Sequence, residues 1–148
     1  MPKNRESPLT LDQYRLDYEA ARQSELYEEW ATQLAAAKNR LTVAETELDL
    51  CEAELGLAIR TNPGKYGVKP TDKAVAAKIL TLPEYREAVK EVNEAKYEKD
   101  QYEVMTKGLD HKKVMIENLC FLHGQSYFSK PRTAEPDRPK VRKRGRDA

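Results

Sequence analysis

The fold is decided by residues 27–58, YEEWATQLAAAKNRLTVAETELDLCEAELGLA, in which apolar side chains recur at alternating steps of three and four. The seam alternates large residues with mostly small ones: Tyr27, Trp30, Leu34, Ala37, Leu41, Ala44, Leu48, Cys51, Leu55 and Ala58. This heptad pattern predicts a long helix that packs along its length against a partner helix. Because the small residues allow the partner backbone to approach closely, we expect an antiparallel partner.

A second apolar stripe runs beside the seam, at Ala36, Val43, Leu50 and Leu57. It makes the apolar face wider than one partner helix covers, and so predicts contact with a third element or a neighbouring subunit. The residues expected to serve helix packing or oligomerisation are Trp30, Leu34, Leu41, Leu48, Leu50 and Leu55.

Start and stop signals divide the rest of the chain. Thr10 with Gln13 has the spacing of a capping box and predicts a first helix over 11–60, which an Asn-Pro-Gly run then ends. Similar signals predict a short helix over 72–80 and a second long helix over 82–123.

The expected fold is therefore all-α, with two long antiparallel helices in a helical hairpin, a short connecting helix and a disordered basic C-terminal tail. The expected organisation is a disordered lead-in over 1–9, a helical hairpin domain over 10–128 and the tail over 129–148. Since such a hairpin encloses little core, self-association is also expected.

Charge is unevenly distributed along the chain. Residues 1–128 carry 18 basic and 22 acidic residues, whereas residues 129–148 carry 8 basic and 3 acidic ones. The connector over 61–80 holds four lysines and one aspartate. Local positive charge on an otherwise acidic chain indicates anion-binding surfaces.

The connector pairs cations with an aromatic ring, a combination that suits a single-stranded nucleic acid, whose bases are free to stack. Tyr66 has a second interpretation, since it could close the turn by packing on Val68 or Val75. The tail cations can neutralise phosphates without reading sequence, or can serve solubility or targeting. The candidate DNA-binding residues of the hairpin domain over 10–128 are Arg60, at the end of the first helix, and Lys65, Tyr66, Lys69 and Lys73 in the connector. Those of the tail are Lys140, Arg142, Lys143, Arg144 and Arg146.

No group of residues points to catalysis, a cofactor or a metal site, because there are two histidines, no Gly-rich phosphate loop and only scattered carboxylates. Cys120 and His123 lie three apart but lack a second pair of ligands. Cys51 and Cys120 occupy apolar positions, where buried thiols in a reducing compartment are expected and a disulfide between antiparallel helices is the alternative. No apolar run reaches the length of a signal or membrane segment, which predicts a cytoplasmic protein without membrane contact.

In the order of these features the chain resembles the UvsY family of phage recombination mediators, from about Tyr14 to Phe128. The resemblance begins with Leu16-Asp-Tyr18-Glu-Ala-Ala21 and Leu26-Tyr27-x-x-Trp30. It continues through the long heptad helix and a short loop to Asp110-x-x-Lys113 in the second long helix.

The family's DNA-contacting motif, at the end of the first helix, has a lysine and an arginine two residues apart. Arg60 matches the arginine, but Ala58 stands where the lysine would be. This departure moves the expected DNA contact towards Lys65, Lys69 and the tail.

The resemblance implies a non-enzymatic phage protein of the bacterial cytoplasm that binds single-stranded DNA as a ring-like homo-oligomer. It also implies a role in loading a RecA-type recombinase onto strands covered by single-strand-binding protein. The alternative, from another class, is a coiled-coil structural or assembly protein, a scaffold or adaptor, whose basic tail touches nucleic acid or an acidic partner.

Overall fold

A computed structural model describes residues 7–126 of the chain, and all four of the elements in this range are helices. They are α1 (Leu16–Thr61), α2 (Pro63–Tyr66), α3 (Asp72–Ile79) and α4 (Pro83–Gly124). The prediction of an all-α fold is confirmed. Residues 1–6 and 127–148, including the five tail candidates for DNA binding, lie outside the described range.

Helices α1 and α4 are the long elements, with 46 and 42 residues, or roughly 69 and 63 Å at the rise of an α-helix. Their contacts pair rising residue numbers in α1 with falling numbers in α4. Gln23 Nε2 donates to the carbonyl of Leu109 (2.6 Å), and Arg40 forms an ion pair with Glu98 (2.8 Å). The two helices therefore run in opposite directions.

The heptad seam of α1 contains the residues that α1 and α4 shield from solvent. Ala37 is completely buried, and the rings of Trp30 and Tyr102 lie 5.8 Å apart across the two helices. Leu34, Leu41, Leu48 and Leu55 of the seam are half-buried, whereas Tyr27 is 41% exposed. Leu50 differs from these, because it belongs to the second stripe and is 57% exposed.

At one end of the long helices, the connector folds back on α1. Val75 and Ile79 of α3 are buried against Ile59, which is completely inaccessible to solvent. Leu55, Tyr66, Leu82 and Tyr85 pack around these three residues. This cluster, here called the connector core, fixes α2 and α3 to the end of α1.

At the other end, residues 7–15 form a turn-rich segment, so α1 starts later than the capping-box spacing of Thr10 and Gln13 predicted. The side chain of Asp12 accepts a hydrogen bond from the backbone N–H of Tyr14 (2.9 Å), a local turn that competes with a helix start. The N-cap residue of α1, Arg15, makes no side-chain capping bond. The prediction of a helix over 11–15 is therefore wrong.

This N-terminal segment is held by hydrogen bonds to a buried ion pair that joins α1 to α4. Lys112 Nζ lies 2.7 Å from a carboxylate oxygen of Glu19 and donates to the carbonyl of Pro8 (3.1 Å). Leu9, assigned above to a disordered lead-in, instead packs on Gly108, where an added Cβ would lie 2.8 Å from the Leu9 side chain. The absence of a side chain at position 108 is what allows this close approach.

The two cysteines are both free thiols. Cys51 is half-buried, but Cys120 is exposed, so the prediction of a buried thiol is wrong at Cys120. Because α1 and α4 run in opposite directions, the two residues lie near opposite ends of the pair. Within residues 7–126, no helix is both long enough and apolar enough to cross a bilayer.

Candidate nucleic-acid interface

The connector takes its shape from residues that end helices. Pro63 occupies the first turn of α2 and separates it from α1, whose last residue is Thr61. Gly67 then ends α2 with φ at +64°, a left-handed conformation that glycine adopts without strain. Thr71 starts α3 by accepting a hydrogen bond from the backbone N–H of Ala74 (3.4 Å).

This backbone path gathers four of the sequence-predicted DNA-binding cations around one end of the molecule. Arg60 lies in the last turn of α1 and Lys65 in α2, while Lys69 and Lys73 flank the start of α3. All four side chains belong to exposed residues. Asp72 is the one acidic residue between positions 60 and 80.

Arg60 forms an ion pair with Asp72, in which Nη2 lies 2.8 Å from Oδ1. Both side chains are more than half exposed, and ion pairs of this kind contribute about 0–1 kcal/mol. The guanidinium can therefore exchange Asp72 for a phosphate at little cost in free energy. Sequence analysis did not identify Asp72 as a partner of Arg60, and no sequence signal marks a pair twelve residues apart across a turn.

Tyr66 is placed in the connector core as a half-buried residue. The sequence allowed Tyr66 either to stack on bases or to pack and close the turn. The structure shows it packed against the connector core. The ammonium of Lys65 lies 5.7 Å from the centre of the Tyr66 ring, within the range of a cation–π interaction. A stacking base would have to share this ring with the core and with Lys65.

The connector and the last described residue lie at opposite ends of α4. The connector lies at the N-terminal end of α4, and the last described residue, Ser126, follows the C-terminal end. These points are separated by the length of α4, roughly 63 Å. The structure therefore places the connector candidates at one end of the helix pair, while the tail candidates lie outside the described residues.

A further group of cations and aromatic rings, which sequence analysis missed, lies near the start of α1. The guanidinium groups of Arg15 and Arg22 are 4.5 and 5.3 Å from the centre of the Tyr18 ring, and Arg22 also donates to the Tyr18 hydroxyl (2.8 Å). The sequence feature that could have identified this group is the spacing of Arg15 and Arg22, three residues before and four residues after Tyr18. Asp12 and Glu19 line the same groove as this group, which makes it a weaker anion site than the connector.

The exposed cations of the connector can form charge-assisted hydrogen bonds with phosphates. Within residues 7–126, no group of three or more His, Cys, Asp or Glu side chains is placed to hold a metal ion. Comparisons of the chain with protein-family models, with curated proteins and with solved structures find no match.

Proposed function

We propose that this protein is a recombination mediator that binds single-stranded DNA at the connector end of an α1–α4 helical hairpin. It would assist the loading of a RecA-type recombinase onto strands covered by single-strand-binding protein, without catalysing a reaction itself. The observation that carries the proposal is the group of four exposed cations, Arg60, Lys65, Lys69 and Lys73, at one end of an otherwise acidic body.

Two physical features favour a strand of nucleic acid as the ligand. The four cations are exposed at the connector end of the two long helices, so a flexible polyanion can reach them without entering a groove. The Arg60–Asp72 pair is weak enough for a phosphate to displace the carboxylate. A single strand suits this surface better than a duplex, because its backbone can follow an irregular turn.

Self-association is part of the proposal, because the described chain buries few large apolar side chains and leaves many exposed. Ile59 and Leu109 are the large side chains that are fully buried. Tyr97 and Val104 on α4 are each 67% exposed, beside a groove that Trp30 also lines. We propose that these α4 residues contribute to a homo-oligomer, in which several connector groups would bind one strand together.

A coiled-coil assembly protein remains the second candidate, and one specific observation favours it. Tyr66, the aromatic ring of the proposed DNA site, is packed into the connector core and so offers less surface for stacking than the sequence suggested. An adaptor would need the basic residues for charge alone. It would then bind duplex and single-stranded DNA alike.

The test compares two full-length variants with matched charge changes. One replaces Lys65, Lys69 and Lys73 by glutamine, and the other replaces Arg142, Lys143 and Arg144 by glutamine. Binding of a fluorescent single-stranded oligonucleotide is followed by anisotropy over a range of salt concentrations, with duplex DNA as competitor. Recombinase ATPase activity on strands covered by single-strand-binding protein measures loading.

The proposal expects the connector variant to lose single-strand preference, loading and about two units of salt slope. It expects the tail variant to keep single-strand preference. Loss of all binding in the tail variant alone, or equal affinity for duplex and single strand in the unmodified chain, would establish the adaptor instead.

A further inference from the structure

The second apolar stripe of α1 remains uncovered in the structure. Val43, Leu50 and Leu57 are 48%, 57% and 68% exposed, and they follow one another at intervals of seven residues. Helix α3 packs on another side of α1, against Ile59 and Leu55. The stripe is therefore a helix face of heptad spacing without a partner in the described chain.

Acidic residues border this stripe on the side that faces α4. Glu47 is four residues after Val43 and three before Leu50, and Glu54 has the same relation to Leu50 and Leu57, so each carboxylate neighbours two stripe residues. Residues 41–59 contain five acidic residues and no basic one. None of the ion pairs within residues 7–126 involves these five carboxylates.

The register between α1 and α4 adds carboxylates from the second helix. Arg40 pairs with Glu98, and Glu47 lies one heptad after Arg40 on the same line of α1. Because the helices are antiparallel, a step of seven in each places Glu47 level with Glu91, and a second step places Glu54 level with Glu84. Glu84 and Glu91 are exposed. At these two levels glutamate faces glutamate, where one heptad earlier arginine faces glutamate. The like charges repel each other and attract cations.

Two possible occupants from this chain do not fit this surface. A second copy laid symmetrically on the same face would bring these carboxylates against their own equivalents, as in a coiled coil with like charges at its flanking positions. The basic tail offers Val141 as its one aliphatic residue larger than alanine, and Pro139 and Gly145 on either side of it disfavour a helix. It cannot fill three aliphatic positions at heptad spacing.

We propose that Val43, Leu50 and Leu57, with Glu47 and Glu54, form a docking surface for an amphipathic helix of another protein. Its apolar stripe would cover the three aliphatic side chains, and lysine or arginine residues beside that stripe would lie between the α1 and α4 carboxylates. One end of the proposed surface adjoins the connector, because Glu54 and Leu57 line a groove together with Lys65 and Tyr66. The proposal does not depend on DNA binding.

The test uses the full chain and two synthetic three-heptad peptides with leucine at both core positions. The first peptide has lysine at the flanking positions and the second has glutamate. In the Glu47→Lys/Glu54→Lys variant, each change places a cation level with Glu91 or Glu84, so folding is expected to be at least as stable. The matched control is Glu45→Lys/Glu52→Lys, with the same spacing and charge change about 200° round the helix.

The proposal expects the lysine peptide to bind roughly tenfold or more tightly than the glutamate peptide. It expects the Glu47→Lys/Glu54→Lys variant and an uncharged Leu50→Ser variant each to lose most of that binding, and the control variant to keep it. Equal affinity for the two peptides, or unchanged binding by Leu50→Ser, would overturn the proposal. A lower oligomeric state of Leu50→Ser without peptide, measured by sedimentation, would assign the surface to a second copy and overturn it too.

Discussion

Removal of the Lys112 ammonium tests how much the buried ion pair between α1 and α4, which also anchors the N-terminal segment, contributes to stability. The Lys112 and Glu19 side chains are 5% and 11% exposed and their charged atoms lie 2.7 Å apart. In Lys112→Met, the Glu19 carboxylate would stay buried with the backbone N–H of Asp12 as its remaining donor, and Pro8 would lose its hydrogen bond. Since breaking a buried pair from one side costs about 3–5 kcal/mol, we expect a loss near 3 kcal/mol.

The assay is urea unfolding followed by circular dichroism, at one protomer concentration because oligomers gain stability by mass action. The double variant Glu19→Gln/Lys112→Met completes a mutant cycle, and we expect a coupling energy of about 2 kcal/mol. The exposed Arg40–Glu98 pair is the control: its side chains are 48% and 40% exposed, so Glu98→Gln should cost about 1 kcal/mol or less. A coupling energy for the buried pair as small as that would refute the reasoning.

The remaining predictions concern acid, the connector core and the thiols. Burial raises the pKa of Glu19, but hydrogen bonds from Lys112 and Asp12 and nearby positive charge more than offset this, so its pKa is lowered. The stability that Glu19 contributes is therefore present above about pH 4.3 and is lost as pH falls through the lowered value, which unfolding of Glu19→Gln against pH will check. Ile59→Ala should cost about 2–5 kcal/mol in urea unfolding, because Ile59 is completely buried. A thiol reagent should label exposed Cys120 faster than half-buried Cys51, as read by peptide mass spectrometry.

The long helices were predictable because their signal is local and repeated. The heptad seam from Tyr27 to Ala58 specifies one continuous helix face, and the structure contains that helix without a break. The start of α1 was not predictable in the same way. It depends on the Lys112–Pro8 hydrogen bond between residues 104 apart and on a glycine that admits Leu9, which neighbouring sequence does not encode.

For the candidate site, the sequence predicted which cations share the connector, since the Pro and Gly residues around them require a turn. It left open whether Tyr66 stacks or packs, because that depends on how α3 docks through Val75 and Ile79. The ion pair of Arg60 with Asp72 also depends on how α3 docks, because Asp72 is the first residue of that helix. Local sequence spacing could not predict the contacts of these side chains, because tertiary packing determines them.

The two ends of the α1–α4 pair are stabilised by different interactions, so we expect them to open locally under different conditions. The connector end relies on aliphatic burial around Ile59, which weakens on cooling because the hydrophobic effect is largely entropic near room temperature. The opposite end relies on a carboxylate that acid neutralises. Hydrogen exchange should therefore show local opening that begins at the connector in the cold and at the N-terminal segment in acid. Temperature and pH would each determine which end of the helix pair opens first.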